Sequence, residues 1–344
     1  MTRKFWRRLA LVVCLSFVTL VLLAGCVLIS TRIGCVRTPG YIYVKHGTSY
    51  QTLLEELTAD RKIRYKAGFD YYAKHIGLDT CVRPGRYELC EGMSYVEVAR
   101  MFKLGLQSPL NITFNNARDQ YLLAQKLAPQ IEPDSAAIVA AFDDAELLAR
   151  LGVSSAKELF GMIIPNTYEV YWSITPEEFL CRMKQEYEQF WTPARTAQAE
   201  ALHMTRNQVM TLASIVYEET KRVEEMPRVA GVYVNRLRKG MPLQADPTIK
   251  YAMQDFGLRR ILNRHLKTPS PYNTYINKGL PPSPICMPSI EAIDAVLNFE
   301  DHDYIFFCAR PTFDGYHNFA KNYSEHLRNA RAYQAELNKR NIKK

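Results

Sequence analysis

The spacing of apolar and polar positions divides the chain into segments of different period. Residues 9–29 carry no charge and are apolar almost throughout. At a rise of about 1.5 Å per residue, a helix over them runs about 31 Å, the thickness of bilayer hydrocarbon. From Tyr41 the period shortens: YIYVKHGTSY alternates as a strand does, and TLLEELTADRKI then spaces its leucines as an amphipathic helix. The same logic repeats in RPGRYELCEGMSYVEVARMFKLG, with a strand over Gly85 to Cys90, a turn at Glu91-Gly92 and a helix that Ser94 caps. Helical spacing returns from Ala117 to about Leu151, interrupted by Pro129 and Pro133. An aromatic-rich stretch, FGMIIPNTYEVYW, precedes a helix over Pro176 to Trp191. Its rings belong to the core by default, with Tyr168, Tyr171 and Trp172 the ones suited to face a sugar. Thr205 then caps a helix whose Val209, Leu212, Ala213, Ile215 and Val216 form one buried face.

The flanks of the long apolar run give it an orientation. Arg3, Lys4, Arg7 and Arg8 precede it, which favours a cytoplasmic N-terminus. The expectation is a cytoplasmic stub at 1–8, a transmembrane helix at 9–29 and a linker at 30–40, with the remaining chain on the far side of a bacterial inner membrane. The run is longer than the apolar region of a cleaved signal peptide. Leu23-Ala24-Gly25-Cys26 resembles a lipoprotein cleavage site, but Val27, Leu28 and Ile29 carry the apolar run past the cysteine. The uncleaved anchor and the lipoprotein both leave the body membrane-attached and extracytoplasmic.

Composition narrows the class. The chain has 344 residues, 47% of them hydrophobic and 23% charged, enough to bury two domains beyond an anchor. Its net charge of +9 is spread without a basic run, so no nucleic-acid partner is expected. Outside the apolar run, Cys35, Cys81, Cys90, Cys181, Cys286 and Cys308 show no CxxC or Cys/His zinc spacing, and neither a metal nor a cofactor is expected. An oxidising compartment permits a Cys81–Cys90 bridge around Pro84-Gly85; buried free thiols are the default for most of the six.

Two adjacent glutamates end the helix that Thr205 begins. Glu219 follows Leu212 by seven residues, Ile215 by four and Val216 by three, which continues the apolar face. Glu218 follows Thr211 and Ser214 on the polar side, where Arg222 stands at i+4. Desolvation and the negative end of the helix dipole both penalise a Glu219 anion, and a raised pKa is what a general acid near neutral pH requires. A structural carboxylate held by an Arg or by the next helix satisfies the same pattern. Downstream, VNRLRKGMPLQADPT carries Asn235, Arg236, Gln244 and Asp246, a set suited to line a sugar cleft, and Asp246 before Pro247 is equally placed to cap TIKYAMQ. His317 and His326 lack metal-site spacing; His317 fits the cleft edge or a loop-holding role.

Three separated motifs, ETxxxxExxRVAGVYxNRLxxGMPLQxDPT, YNTYxxxGLPPxPI and GxHxF with SEH, resemble the MltG/YceG-like family of membrane-anchored endolytic murein transglycosylases over roughly Tyr41 to Tyr333. The resemblance implies an α+β architecture: a single N-terminal transmembrane helix, a LysM-like α/β subdomain at 41–110 and an α+β transglycosylase domain at 111–344. It makes the Glu of the Glu-Thr pair catalytic, here Glu219, the residue the apolar face selects independently. Asn235, Gln244, Asp246, Tyr272, Asn273, Tyr275 and His317 are its candidate glycan contacts. Peptidoglycan strands are the implied substrate, and cell-wall synthases of the penicillin-binding class are candidate partners. The chain departs from the family pattern at Tyr217, where an acidic residue often stands, and at TFNNARD, where a Glu-Gly is common. A lytic transglycosylase needs one carboxyl group, which protonates the glycosidic oxygen and then, as the anion, takes the proton of the muramyl 6-hydroxyl. A muramidase needs a second, for which Asp246 is the nearby candidate. A non-catalytic peptidoglycan-binding scaffold is the reading from another class.

Overall fold

The computed structural model describes residues 11–22, 25, 34–258 and 261–340. Residues 11–22 are helical and their apolar side chains are exposed. The span expected at 9–29, and Cys26 with it, lies in part outside the described residues. Among the described residues no helix is long and apolar enough to cross a membrane. The chain divides into two compact units, the first holding the chain through Asn111 together with Gln130–Glu132 and Glu169–Ile174, the second the remainder.

In the first unit β1 (Gly40–Val44) is followed by α1 (Tyr50–Ala59) and α2 (Lys66–His75), then β2 (Gly85–Leu89) and α3 (Tyr95–Leu104). The strands pair antiparallel with Ile42 opposite Tyr87. Their alternation turns Ile42, Val44, Tyr87 and Leu89 inward onto Leu53, Leu57, Phe69, Val98 and Phe102. Ser94 and Glu97 close α3 with the reciprocal capping box the sequence predicts, and Gly105 ends it at φ 70°. Cys81 and Cys90 are free thiols, so the bridge between them does not form. The extended strand β2 lies between the two positions, and Cys90 is exposed just past its end.

The second unit is mainly helical. β3 (Leu110–Phe114) enters this unit at Ile112 and leads into α4 (Gln120–Leu127), α5 (Ser135–Phe142), α6 (Ala145–Leu151) and α7 (Ala156–Gly161), and β4 (Asn166–Val170), which leaves it after Tyr168, forms a two-stranded sheet with β3. Pro129 and Pro133 fall between α4 and α5 as their missing N–H groups dictate. Tyr168 belongs to this core: it stacks 5.5 Å from Phe114 and donates to the Ile164 carbonyl at 2.6 Å. Tyr171 is exposed.

α8 (Pro176–Phe190), α9 (Pro193–Ala201), α10 (Arg206–Glu219), α11 (Met226–Arg238), α12 (Asp246–Met253) and α13 (Ile290–Leu297) follow. The hairpin β5 (Phe306–Ala309) and β6 (His317–Ala320) then leads to α14 (Tyr323–Lys339). Val209, Leu212, Ala213 and Val216 of α10 meet Val229, Ala230 and Tyr233 of α11 and Ile293 and Val296 of α13 in one core. Burying side chains of this size stabilises the fold by about 1.5 to 3 kcal/mol each. The polar side of α10 is covered as well, against the sequence expectation. Thr211 and Ser214 are 1% and 0% exposed. Ser214 Oγ accepts the Ile285 N–H at 3.0 Å and donates to the Thr211 carbonyl at 2.7 Å, so its hydroxyl takes the place of water for a passing loop.

Gly231 lets that core reach the hairpin. A Cβ there would stand 2.5 Å from the Glu300 carbonyl oxygen and 2.7 Å from His302 Nε2, so a side chain would push the segment before β5 away from α11. One turn later on the same face, Asn235 donates to the carbonyls of His302 at 2.6 Å and Tyr304 at 3.1 Å.

Candidate active site

Glu219 is the last residue of α10, and Thr220 leaves the helix in an extended conformation. The carboxyl therefore stands where the buried face ends and the helix dipole is negative. Its protein partner comes from the next helix. Tyr233, 1% exposed, donates its O–H to Glu219 Oε1 at 2.7 Å. Among the described residues no N–H or O–H donates to Oε2, which leaves that oxygen free to carry a proton. Burial is the largest influence on this acid and raises it from an ordinary 4.5 to about 7, the Tyr233 hydrogen bond and the charges of His317 and Arg236 hold it back, and Asp246 pushes it up. An acid titrating near neutral pH is able to give up a proton and, once ionised, to take one up.

The neighbours are fixed by the backbone around them. Arg236, one turn after Tyr233 on α11, is 7% exposed; its Nε donates to the Ile305 carbonyl at 2.7 Å and its Nη1 to the Leu243 carbonyl at 2.7 Å. Burial pulls its pKa below the ordinary arginine value. Gln244 Oε1 lies 3.5 Å from the same Nη1, and Gln244 itself adopts the left-handed region at φ 51°. A non-glycine residue held there is strained, a condition common at functional sites. Its N–H donates to the Thr274 carbonyl, and the Ala245 N–H donates to Thr274 Oγ1 at 3.0 Å. Those bonds hold the loop before α12 against the segment containing Tyr275, whose O–H donates to Asp246 Oδ1 at 2.5 Å. Asp246 is the first residue of α12, and the position before it is Ala245, which makes no side-chain cap. The capping role for Asp246 is thereby replaced by a bond to Tyr275.

His317 opens β6. Glu225, 4% exposed, accepts the His317 backbone N–H at 2.8 Å through one oxygen and faces Nδ1 at 2.7 Å through the other. The imidazole is thus clamped at two points, with the Phe307 ring edge-on 5.2 Å away and Phe307 edge-on to Tyr233 at 5.8 Å. The segment joining α10 to α11 is tied to the same hairpin, since Arg222 donates to the Asp314 carbonyl at 2.5 Å and Tyr316 donates to Glu224.

Of the residues the sequence singles out, Asp246, Tyr275 and His317 act electrostatically on the Glu219 carboxyl, and Gln244 reaches it only through Arg236. Asn235, Tyr272 and Asn273 spend their polar atoms elsewhere. Asn235 holds the segment before β5, Tyr272 bonds Ser283 at 2.6 Å, and Asn273 donates to the carbonyls of Leu266 at 3.0 Å and Thr268 at 2.8 Å. Glu218 pairs with Lys221 at 3.6 Å, because Arg222 is engaged with Asp314, and the expected i,i+4 pair is absent. Tyr233 and Glu225 were not singled out by the sequence. Both lie inside the first motif, and the signal for Tyr233 is that a buried carboxyl needs a donor and α11 has this one aromatic hydroxyl.

Residues 42–332 match the profile of the YceG-like family. The chain is 25% identical over 318 residues to a protein of Bacillus subtilis named endolytic murein transglycosylase, covering 88% of this chain and 87% of that one. A Streptococcus pneumoniae protein of the same name is 27% identical over 315 residues, and this chain spans 57% of its length. Among solved structures, a yceG-like protein of Listeria monocytogenes superposes with a TM-score of 0.56 at 25% identity, over 85% of this chain and 99% of that one.

Proposed function

Because the chain belongs to the YceG-like family, we propose that it is an endolytic lytic transglycosylase of peptidoglycan, with Glu219 as its acid and base. The observation that carries this reading is a carboxyl raised to about 7 and held at one oxygen by the Tyr233 O–H. Glu219 Oε2 donates its proton to the oxygen linking N-acetylmuramic acid to N-acetylglucosamine, and that bond breaks. The resulting carboxylate, steadied by the Tyr233 O–H, takes the proton of the muramyl 6-hydroxyl as that oxygen bonds to the anomeric carbon. The product end is 1,6-anhydromuramyl, no water is consumed, and Glu219 regains its proton. Cuts made within nascent strands would terminate their elongation.

Gln244, Asp246, Tyr275 and His317 are the side chains suited to orient the glycan, while Asn235, Tyr272 and Asn273 act through the loops they hold. Residues 111–344 form the catalytic domain in this reading. Residues 41–110 form a LysM-like glycan-holding subdomain, supported by the strand, turn and capped helix around Ser94. The exposed apolar side chains of residues 11–22 support a membrane anchor at 9–29, which would keep the enzyme beside cell-wall synthases. Asp246 is the observation that favours a second reading, a hydrolytic muramidase, because it acts electrostatically on Glu219. Mass spectrometry of the new glycan ends separates the readings: anhydro ends support the transglycosylase, reducing ends the muramidase, and uncut strands a non-catalytic scaffold.

A further inference from the structure

On the other side of α10's last turn lies a pocket that the reaction above does not use. Arg118, Glu218, Pro247, Lys250, Tyr251 and Phe256 line it. Two of these are chain neighbours of the active site, Glu218 beside Glu219 and Pro247 beside Asp246, so the pocket adjoins the place where the glycosidic bond must sit.

Some cations of this unit have carboxylate partners, as Arg195 has Asp294, Arg206 has Glu188 and Arg228 has Glu300. Among the described residues, no ion pair is formed by Arg118 or Lys250. Arg118 is nevertheless held in place: its guanidinium lies 4.3 Å over the Phe256 ring, which fixes the plane and leaves the N–H edge to an incoming acceptor. The backbone beneath it is pinned as well. Asn116 Nδ2 donates to the Met287 carbonyl at 2.6 Å, and the Met287 N–H donates to the Ala117 carbonyl at 2.9 Å. This is the TFNNARD stretch, which supplies a pinned amide and a cation.

We propose that this pocket is a subsite for the peptide carried by the muramyl residue at the cleavage point, with Arg118 and Lys250 taking a peptide carboxylate. The inference rests on the transglycosylase reading, which puts a muramyl residue beside Glu219. The lactyl group of muramic acid bears a peptide with free carboxylates, so the substrate carries an anionic branch that a plain polysaccharide lacks. An arginine edge and an ammonium lining one pocket match a carboxylate by charge. Tyr251 and Phe256 supply apolar surface for its alkyl side chains.

The test compares cleavage of peptide-bearing strands with strands stripped by an amidase. Wild-type enzyme is expected to prefer the peptide-bearing strands, and Arg118→Ala with Lys250→Ala to lower that preference by roughly tenfold, the worth of one charge-assisted contact. Arg118→Lys, which keeps the charge, should retain most of it. A wild type without preference, or a double variant with the wild-type ratio, overturns the proposal. If wild type cuts neither strand, the reaction reading fails instead, and the subsite is then read by calorimetry. A soluble muramyl peptide titrated into the Glu219→Gln protein should bind more tightly than its methyl ester. Equal binding of acid and ester overturns the subsite.

Discussion

Replacing Glu219 by Gln should make the protein more stable above neutral pH, the reverse of what losing a salt-bridged carboxylate does. The folded-state pKa of Glu219 is raised from 4.5 to about 7, chiefly by burial. The fold therefore favours the protonated form. Below pH 4.5 both folded and unfolded chains hold the proton, and Glu219 costs nothing. As pH climbs from 4.5 through about 7, the unfolded chain ionises first and the native state is penalised increasingly, up to a limit reached above the folded value. At 1.36 kcal/mol per pH unit, that limit is roughly 3 kcal/mol. Glutamine keeps the shape and a carbonyl oxygen for the Tyr233 O–H, so the variant should escape the penalty without losing the bond. Thermal melts from pH 4 to 9 would read a difference near zero at the acid end, growing to several degrees in favour of the variant above neutrality, at about 2 to 4 °C per kcal/mol. A variant less stable than wild type at pH 8 would mean that Glu219 is a paired structural anion, and the case for it as the acid would fall.

Three further outcomes follow from particular contacts. Tyr233→Phe removes the hydrogen bond that holds the acid down, so the alkaline limb of the pH–activity profile should move up by about one to two pH units; a limb that stays put would show that the bond does not tune the acid. Asn235→Ala strips the donors from the carbonyls of His302 and Tyr304, and should cost about 1 to 3 kcal/mol of stability while leaving the KM for glycan near wild type. A raised KM with an unchanged melting temperature would put Asn235 on the substrate instead. For the anchor, protease added to spheroplasts should digest the body of the protein while a tag at Met1 survives; a body that resists, or an N-terminus beginning at Cys26, would contradict that topology.

Glu219 was legible because helical periodicity carries an apolar face to the end of α10 and leaves a carboxyl on it. Its partner was not, because Tyr233 reads as one more apolar position on α11, and only the fold brings two helices' faces together. Glu225 stood in plain view in the first motif, but nothing local says that its two oxygens close on His317 in a strand far along the chain. Asn235, Tyr272 and Asn273 were singled out for their hydrogen-bonding capacity, and that capacity serves the protein's own carbonyls and hydroxyls. Residue type cannot distinguish a polar side chain that faces a ligand from one that satisfies a loop. Among the elements, the capped helices were readable from Ser94 and Thr205. α2 was not, since Tyr65 before it makes no side-chain cap and the helix buries only Phe69 and Ala73. β3 and β4 do alternate, LNITF and NTYEV, but in segments too short to stand out from their surroundings.

The central claim is that Glu219, and not its neighbour, moves the proton. Purified peptidoglycan strands digested by wild type, Glu219→Gln and Glu218→Gln, with the new ends counted by mass spectrometry, put it to the sharpest test. The account predicts anhydromuramyl ends from wild type, none from Glu219→Gln although that variant melts no lower than wild type, and near wild-type numbers from Glu218→Gln, whose pair with Lys221 is worth at most about 1 kcal/mol. Ends produced by Glu219→Gln and lost in Glu218→Gln would contradict it.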